Sequence, residues 1–181
     1  NIFKEHIDKI KTWFPYQNKN NINDLVLHFR GGDRLFYKNE FIYKPSPESF
    51  VNAINKFEFD KLFIVTDMPS WNYLTSKELK KISFHVKVKE EMSVPIQYSV
   101  DYFNSIVEAL ERFNPILYKK NISDEFNFIR SFDKILFQHS TTAWWAARLS
   151  NASKVGVLNG WRNWKSNNKK NLLENDNWFQ W

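Results

Sequence analysis

Short apolar runs alternate with amphipathic segments along most of the chain. The apolar runs end in polar or glycine residues, as buried strands do, and cover 25–29, 62–65, 135–137 and 154–158. Between them, apolar residues recur at helical spacing over 47–57, 76–82, 98–113, 123–132 and 142–149. Strands that are apolar at nearly every position are typical of a parallel sheet covered on both faces. The pattern therefore predicts an α/β fold: a Rossmann-like parallel sheet with helices on both faces.

The remaining segments complete this prediction. Apolar residues at helical spacing over 2–14 predict a first helix that ends at Pro15, and residues 84–88 alternate like a strand with one wet face. Ser46 and Ser123 are the predicted N-caps of their helices. Polar loops are expected at 17–21 and 163–171. We expect residues 1–24 to form a linker helix and loop, and residues 25–181 to form a single domain.

Composition narrows the possible functions. The 181 residues include 26 Lys and Arg against 20 Asp and Glu, a net charge of +6 that favours an anionic ligand. Because the chain has no cysteine, disulfides and thiolate zinc sites are excluded, and its four histidines show no metal spacing. Its four glycines cannot form a dinucleotide fingerprint or a P-loop. The lysines are scattered, so we expect no nucleic-acid partner.

The chain shows no targeting or membrane signal. No apolar run approaches the ~20 residues of a membrane span, and no signal-peptide pattern opens the sequence. We expect a cytoplasmic protein, with a membrane-peripheral or secretory location left open.

Ligands of open parallel sheets bind at the carboxyl ends of the strands, so the loops after Phe29, Val65 and Phe137 are the candidate site. The first loop contains Arg30, two glycines and Asp33. An arginine offers a planar fork of donors for a phosphate, and a glycine pair lets the backbone approach a ligand. The alternative is a glycine turn with a surface ion pair between Arg30 and Asp33.

The other two loops carry acid and hydroxyl groups. Asp67 follows the second strand and either holds a ribose or acceptor hydroxyl or caps the next helix. Ser140, Thr141 and Thr142 stand at the start of a helix, whose N-terminus suits a phosphate, although one hydroxyl would suffice for ordinary capping. The adjacent Trp144–Trp145 pair is interpreted as core packing, with a stacking platform as the alternative.

Taken together, three segments resemble motifs of the α-1,2-fucosyltransferase family (glycosyltransferase family 11), and more loosely its wider fucosyltransferase superfamily. LHFRGGD at 27–33 resembles HxRRGD, FIVTDMPSW at 63–71 resembles FxxFSDDxxW, and HSTTAWWAARL at 139–149 resembles NSTFSWWxAxL. The region around Asn177 and Trp178 is similar to the tryptophan-bearing end of those enzymes. The resemblance implies the C-terminal, donor-binding domain of a GT-B glycosyltransferase. Such an enzyme carries an acceptor-binding half before this domain, so we expect that half to be missing from this chain.

The resemblance also implies roles for individual residues. Arg30 matches the motif arginine that contacts the donor β-phosphate, and His28 matches the histidine near the sugar diphosphate. The run His139, Ser140, Thr141 and Thr142 matches the segment that holds the phosphates. An acid one helix upstream pairs with guanine in the wider superfamily, and Asp124, with Glu125 behind it, is the candidate here.

Three positions depart from the family pattern. Gly31 stands where the motif has its second arginine, Arg34 replaces the usual aromatic residue, and His139 replaces an asparagine. Arg34 supplies a positive charge close to the one that Gly31 removes. The donor is therefore GDP-fucose or another nucleotide sugar.

The resemblance implies a transferase that moves the sugar with inversion from GDP-fucose to a glycan hydroxyl. It needs no metal and no other cofactor. The expected catalytic residues are His28, Arg30 and Asp33: Arg30 neutralises the departing GDP, and Asp33 or His28 accepts the acceptor proton unless the missing half supplies the base. The alternative is a non-catalytic carbohydrate- or protein-binding module derived from such a domain.

Overall fold

The computed structural model describes residues 2–15, 21–39, 42–83, 89–138, 140–158 and 178–180. The helices in these ranges are α1 (Ile2–Trp13), α2 (Pro47–Ile54), α3 (Ser76–Ser83), α4 (Ile96–Glu111), α5 (Ile122–Arg130) and α6 (Thr141–Leu149). The strands are β1 (Asn21–Phe29), β2 (Leu62–Thr66), β3 (Ile116–Tyr118), β4 (Phe132–Phe137), β5 (Lys154–Val157) and β6 (Trp178–Gln180). Short 3-10 helices cover Gly32–Phe36 and Glu90–Met92.

The described strands form one sheet in the order β3-β2-β1-β4-β5-β6, and every neighbouring pair is parallel. This is the strand order of Rossmann-like folds, and it confirms the predicted α/β class. His28 of β1 aligns with Val65 of β2 and with Phe137 of β4, so the three strands end at the same edge. The strand order reverses between β1 and β4, and ligands of such sheets bind outside this switch point.

Each face of the sheet has its own core, because successive side chains of a strand point to opposite faces. On the face covered by α2, α3 and α4, Phe29 packs against Phe50 and Phe103 with ring centroids 5.8 Å apart in both pairs. On the opposite face, Val26 belongs to the core formed with α5 and α6, which includes Trp144. The nearly uninterrupted apolar sequence of β1 therefore reflects burial on both sides.

Several predicted helix ends need correction; α4, for example, covers 96–111 rather than 98–113. Ser46 caps α2 as predicted, its hydroxyl accepting the Ser49 N–H at 3.2 Å, but this helix ends at Ile54 rather than at residue 57. The predicted cap of α5, Ser123, is wrong. Asn121 takes that role, because the helix already begins at Ile122 and the Asn121 Oδ1 accepts the Asp124 N–H at 2.9 Å.

The strands extend further than the apolar runs. β1 begins at Asn21, four residues before the predicted start, because Asn21 pairs with Phe132 across an irregularity in the register. β4 begins at Phe132 rather than at residue 135, which shortens α5 correspondingly. β3 and β6 were not predicted, since each has only three residues. The predicted strand at 84–88, the predicted loop at 163–171 and residues 17–20 of the predicted loop at 17–21 lie outside the described residues, whereas Asn21 begins β1 and is not part of a loop.

The first helix packs onto the face that α5 and α6 cover. α1 contacts α6, and the Arg130 Nη2 of α5 donates to the Phe14 carbonyl at 2.9 Å. The same guanidinium lies over the rings of Phe14 and Phe126, 5.8 and 5.7 Å from their centroids. Among the helices that the structure describes, none combines the length and the apolarity that crossing a membrane would require.

Candidate functional site

The candidate site lies at the carboxyl edge of the sheet, around the switch point between β1 and β4. Helices α5 and α6 each connect parallel strands, so their N-termini lie at this edge, and the two helices pack against each other. Packed helix axes are about 8–10 Å apart. Asp124, in the first turn of α5, therefore lies roughly one helix spacing from the hydroxyl run that begins α6.

Two carboxylates hold the guanidinium of Arg30. Its Nη2 donates to Asp33 Oδ1 at 3.0 Å, and its Nε lies 3.2 Å from Asp67 Oδ2 without the alignment of a hydrogen bond. The ion pair between Arg30 and Asp33, one of the two interpretations of this loop, is thereby confirmed. The Arg30 side chain is 35% exposed, and its Nη1 makes no hydrogen bond to a described residue. One end of the fork is thus left for a ligand.

Asp67 ties the loops after β1 and β2 together. Its Oδ1 accepts the Gly31 N–H at 2.7 Å. The expectation that it caps the next helix is wrong, because α3 begins only at Ser76. Burial raises the pKa of the Asp67 carboxyl, while the Gly31 N–H and the Arg30 charge act in the opposite direction. Asp67 therefore supports the arginine loop.

The two glycines of this loop stand where little space is left. A Cβ at Gly31 would lie 2.5 Å from the side chain of Met68. Gly32 has a φ of +31°, and a Cβ there would lie 2.4 Å from Asp67 Oδ2. An arginine at Gly31, as in the family motif, would therefore require the Met68 side chain to move in this loop conformation. The packing between the loops after β1 and β2 therefore favours glycine at the position where the family motif has its second arginine.

His28 is buried at the end of β1, on the face covered by α5 and α6. Its exposed fraction is 7%, and its Nδ1 has no hydrogen-bond partner among the described residues. Burial, followed by the charge of nearby Arg30, lowers the pKa of His28 to about 4. The ring is therefore neutral at physiological pH. It is a weak base but can still form a hydrogen bond to a ligand.

The hydroxyl run divides into a capping residue and two others. The Ser140 hydroxyl is buried and accepts the Ala143 N–H at 3.2 Å, which is ordinary N-capping. Thr141 is exposed and Thr142 is half-buried in the first turn of α6, where backbone N–H groups lack helical acceptors. Trp144 is buried, which confirms core packing for that tryptophan. His139 lies outside the described residues.

Gln138 was missed by sequence reasoning. It ends the apolar β4 run and is buried, and its Nε2 donates to the Arg30 carbonyl at 2.7 Å. This hydrogen bond joins the arginine loop to the segment that leads into α6. The one signal in the sequence is an amide side chain directly after a run of apolar residues.

The two acids of α5 have different surroundings. The Glu125 Oε1 lies 3.6 Å from Lys119 Nζ, and that ammonium donates to the Thr66 carbonyl at 2.6 Å. Asp124 is exposed, and its Oδ2 accepts from Asn121 Nδ2 at 2.7 Å. Glu125 is thus engaged beside the end of β2, whereas Asp124 presents a carboxylate to solvent at the carboxyl edge.

A cationic cavity adjoins the arginine loop, on the side of α4. It offers only about 10 Å³, room for one water-sized group, and Arg30, Arg34, Lys44, Tyr102 and Gln138 contribute to its walls. Sequence reasoning missed Lys44, because lysines are seldom buried. Among the described residues, no group of three or more His, Asp and Glu side chains is arranged as a metal site.

The structure therefore brings His28, Arg30, Asp33 and the hydroxyl run to one edge of the sheet, with Asp124 at the neighbouring helix. Fold and site together define a Rossmann-like domain with a polar site at its switch point. Comparisons of the chain with protein-family models, with curated proteins and with solved structures give no match.

Proposed function

We propose that this domain binds a nucleoside diphosphate sugar and acts as the donor-binding half of an inverting glycosyltransferase. One observation carries the proposal: Arg30 and the N-terminus of α6 lie on either side of the switch point, and Gln138, three residues before α6, donates from Nε2 to the Arg30 carbonyl at 2.7 Å. A guanidinium and a helix N-terminus both bind phosphate, the first through paired donors and the second through exposed N–H groups. The fucosyltransferase-like motifs favour GDP-fucose as the donor.

In the proposed reaction an acceptor hydroxyl oxygen attacks the anomeric carbon of the donor sugar. The bond from that carbon to the β-phosphate oxygen breaks, and GDP leaves with the electron pair. Arg30 and the first turn of α6 stabilise the negative charge that develops on GDP. Asp33 is the better candidate for the proton acceptor, because its side chain is 35% exposed whereas His28 is buried. His28 is better suited to orient the diphosphate of the donor. The acceptor in this proposal is a glycan, which a further domain helps to bind.

One observation favours the alternative, a non-catalytic carbohydrate- or protein-binding module. Arg30 already pairs with Asp33 and lies beside Asp67, so most of its charge is compensated inside the loop. In that case the arginine would stabilise the loop without meeting a phosphate. A ligand screen separates the two functions.

The screen measures the melting temperature of the protein with GDP, ADP, UDP and neutral glycans. A ligand that binds only the folded state stabilises it by RT ln(1 + [L]/Kd), so the melting temperature rises with ligand concentration. Stabilisation by GDP but not by ADP or UDP supports the donor site. Stabilisation by glycans alone supports the binding module and contradicts the proposal.

Replacing Arg30 tests the residue itself. Arg30→Ala removes a charge-assisted contact and leaves Asp33 and Asp67 to repel the phosphates, so GDP affinity should fall by at least about 1.5–3 kcal/mol. Arg30→Lys keeps the charge without the planar fork and should lose less. Arg112→Ala is the matched control, since this exposed arginine follows α4 at the opposite edge of the sheet. Equal GDP affinity in wild type and Arg30→Ala would contradict the assignment.

A further inference from the structure

A second cavity forms a cleft between the loop that follows β2 and the C-terminal half of α4. Its volume is about 640 Å³, within the range of roughly 300–1,000 Å³ that ligand pockets span, and it is open to solvent. Aromatic, amide, carboxylate and apolar side chains line it, among them Trp71, Asn72, Tyr73, Val107, Glu111 and Asn114. We propose that this cleft binds a neutral saccharide, at a site separate from the arginine loop.

Contacts of the fold itself hold the loop wall of the cleft in place. The Leu74 N–H donates to Asn104 Oδ1 at 2.8 Å, and Asn104 Nδ2 donates to the Leu74 carbonyl at 2.9 Å. Trp71 is buried and packs edge-to-face against Phe29 and Phe103, with ring centroids 5.2 and 5.6 Å apart. A ligand therefore does not have to order this wall when it binds.

The polar groups of the cleft suit hydroxyl groups. Asn72 and Asn114 are exposed, and each carboxamide can both donate and accept hydrogen bonds, as a sugar hydroxyl does. Asn114 has a φ of +47°, a conformation that asparagine adopts more readily than most residues. The exposed Glu111 carboxylate adds further acceptors.

Tyr73 supplies an aromatic surface beside these polar groups. Its side chain is 52% exposed, so an apolar ring face and a polar hydroxyl are both available to a ligand. Desolvation, followed by the neighbouring Glu111 carboxylate, raises the pKa of the Tyr73 hydroxyl. The ring and the carboxylate are therefore close enough to contact the C–H face and the hydroxyl groups of one sugar.

The charge of the cleft distinguishes a neutral ligand from an ion. The described lining residues include no lysine or arginine, whereas the Glu111 carboxylate lines the cleft and Glu108 lies near Tyr73. These acids would repel a phosphate or a nucleotide. A cation would satisfy the carboxylate but leave the N–H donors of two carboxamides unused. A neutral ligand rich in hydroxyl groups uses all of these groups.

The cleft lies apart from the proposed donor site. Pro115, which also lines it, directly precedes β3, and β2 separates β3 from β1 in the sheet. Arg30 follows β1 and does not line the cleft. The inference therefore does not depend on the proposed function: the cleft would hold a glycan beside the domain whether or not the domain transfers a sugar.

The test is titration of the isotope-labelled whole chain with lactose, cellobiose and maltose, followed by nuclear magnetic resonance. At least one of these disaccharides should shift the side-chain amide resonances of Asn72 and Asn114. The shifts should saturate at concentrations up to about 50 mM, where a ligand with a Kd of roughly 1 mM fills its site. Choline and inorganic phosphate are the cationic and anionic comparisons, and both should bind less tightly.

Two variants test the residues of the cleft. Tyr73→Ala removes the exposed ring and should weaken binding of the disaccharide roughly three- to tenfold. Asn114→Gly removes a carboxamide and should weaken it roughly two- to tenfold, with little change in melting temperature because glycine adopts a positive φ without steric cost. Trp13→Ala is the matched control and should leave the affinity unchanged, since Trp13 is an exposed aromatic residue of α1, on the opposite face of the sheet.

Saturable binding by none of the three disaccharides would overturn the proposal, and so would tighter binding of choline or phosphate. Unchanged disaccharide affinity in Tyr73→Ala or in Asn114→Gly would also overturn it, because the sugar would then bind elsewhere. Arg30→Ala should leave disaccharide affinity unchanged. GDP binding without disaccharide binding would contradict the saccharide cleft alone, and disaccharide binding without GDP binding would contradict the donor site alone.

Discussion

The loops on the two sides of the switch point are built in opposite ways. After β1, the charged groups compensate one another: Arg30 pairs with Asp33, lies beside Asp67, and Asp67 also accepts the Gly31 N–H. After β4, the chain offers hydroxyl groups and the first turn of a helix, where the Ala143 N–H donates to the Ser140 hydroxyl. The contacts within the first loop fix its conformation, whereas the second loop exposes hydrogen-bond donors that can bind a ligand.

We expect the first loop to contribute mainly to the stability of the fold and the second loop mainly to ligand affinity. Substitutions at the end of β1 and in its loop should destabilise the fold, because the groups there hold one another in place. Substitutions in the exposed part of the α6 turn should change ligand affinity with little effect on stability.

The largest effect concerns His28, whose pKa of about 4 lies below the ordinary value of 6.5. Between these values the unfolded chain binds a proton that the folded chain does not, so the free energy of unfolding falls as pH decreases from 6.5 to 4. The pKa shift corresponds to a contribution of about 3 kcal/mol to the free energy of unfolding, and this contribution is complete above pH 6.5.

Urea unfolding of wild type and His28→Asn between pH 4 and 6.5 measures this contribution, which the variant should lack. His6→Asn, at an exposed position of α1, should keep it. An unchanged pH slope in His28→Asn would contradict the account.

The next effect concerns Gly32. Gly32→Ala places a Cβ against the Asp67 carboxylate at a positive φ and should lower the free energy of unfolding by about 2–3 kcal/mol. Gly31→Ala is the matched comparison, because its Cβ meets the flexible Met68 side chain and should cost less. Urea denaturation decides between them. A smaller loss of unfolding free energy in Gly32→Ala than in Gly31→Ala would show that Asp67 does not fix the conformation of this loop.

The smallest effect separates two hydroxyls of the α6 turn. Ser140→Ala removes a helix cap and should cost about 1 kcal/mol of stability, whereas Thr141→Ala should leave stability within about 0.5 kcal/mol. For GDP affinity the order should reverse, because Ser140 Oγ is engaged with Ala143 and Thr141 is exposed. Thermal unfolding and GDP titration of both variants measure the two quantities. If the same variant showed the larger loss of both stability and GDP affinity, the assignment of Ser140 as the helix cap and Thr141 as the ligand donor would be contradicted.

The strands and helices were predictable where burial leaves a strong pattern in the sequence. β1, β2, β4 and β5 follow apolar runs because helices cover both faces of the sheet. β3 was missed because three residues after Pro115 are too few for a periodic signal. Its place in the sheet follows from pairing with β2, more than fifty residues away in sequence.

The site was predictable only at the level of its loops. The sequence indicated Arg30, Asp33 and the hydroxyl run, since parallel strands carry their ligand-binding residues at one edge. The role of Asp67 depends on a hydrogen bond to a glycine 36 residues earlier, and no local pattern encodes such a contact. Lys44 was missed for the same reason, because its burial comes from Tyr98 and Tyr102 on α4.

In the proposed function, Arg30 and the first turn of α6 bind one pyrophosphate, and the difference in affinity between GDP and GMP tests this binding. That difference isolates the β-phosphate, and calorimetric titration gives it for wild type, Arg30→Ala and Thr141→Ala. GDP should bind more tightly than GMP in wild type. The advantage should shrink by roughly tenfold or more in Arg30→Ala and by about two- to tenfold in Thr141→Ala. An advantage of GDP that survives unchanged in either variant would contradict the account.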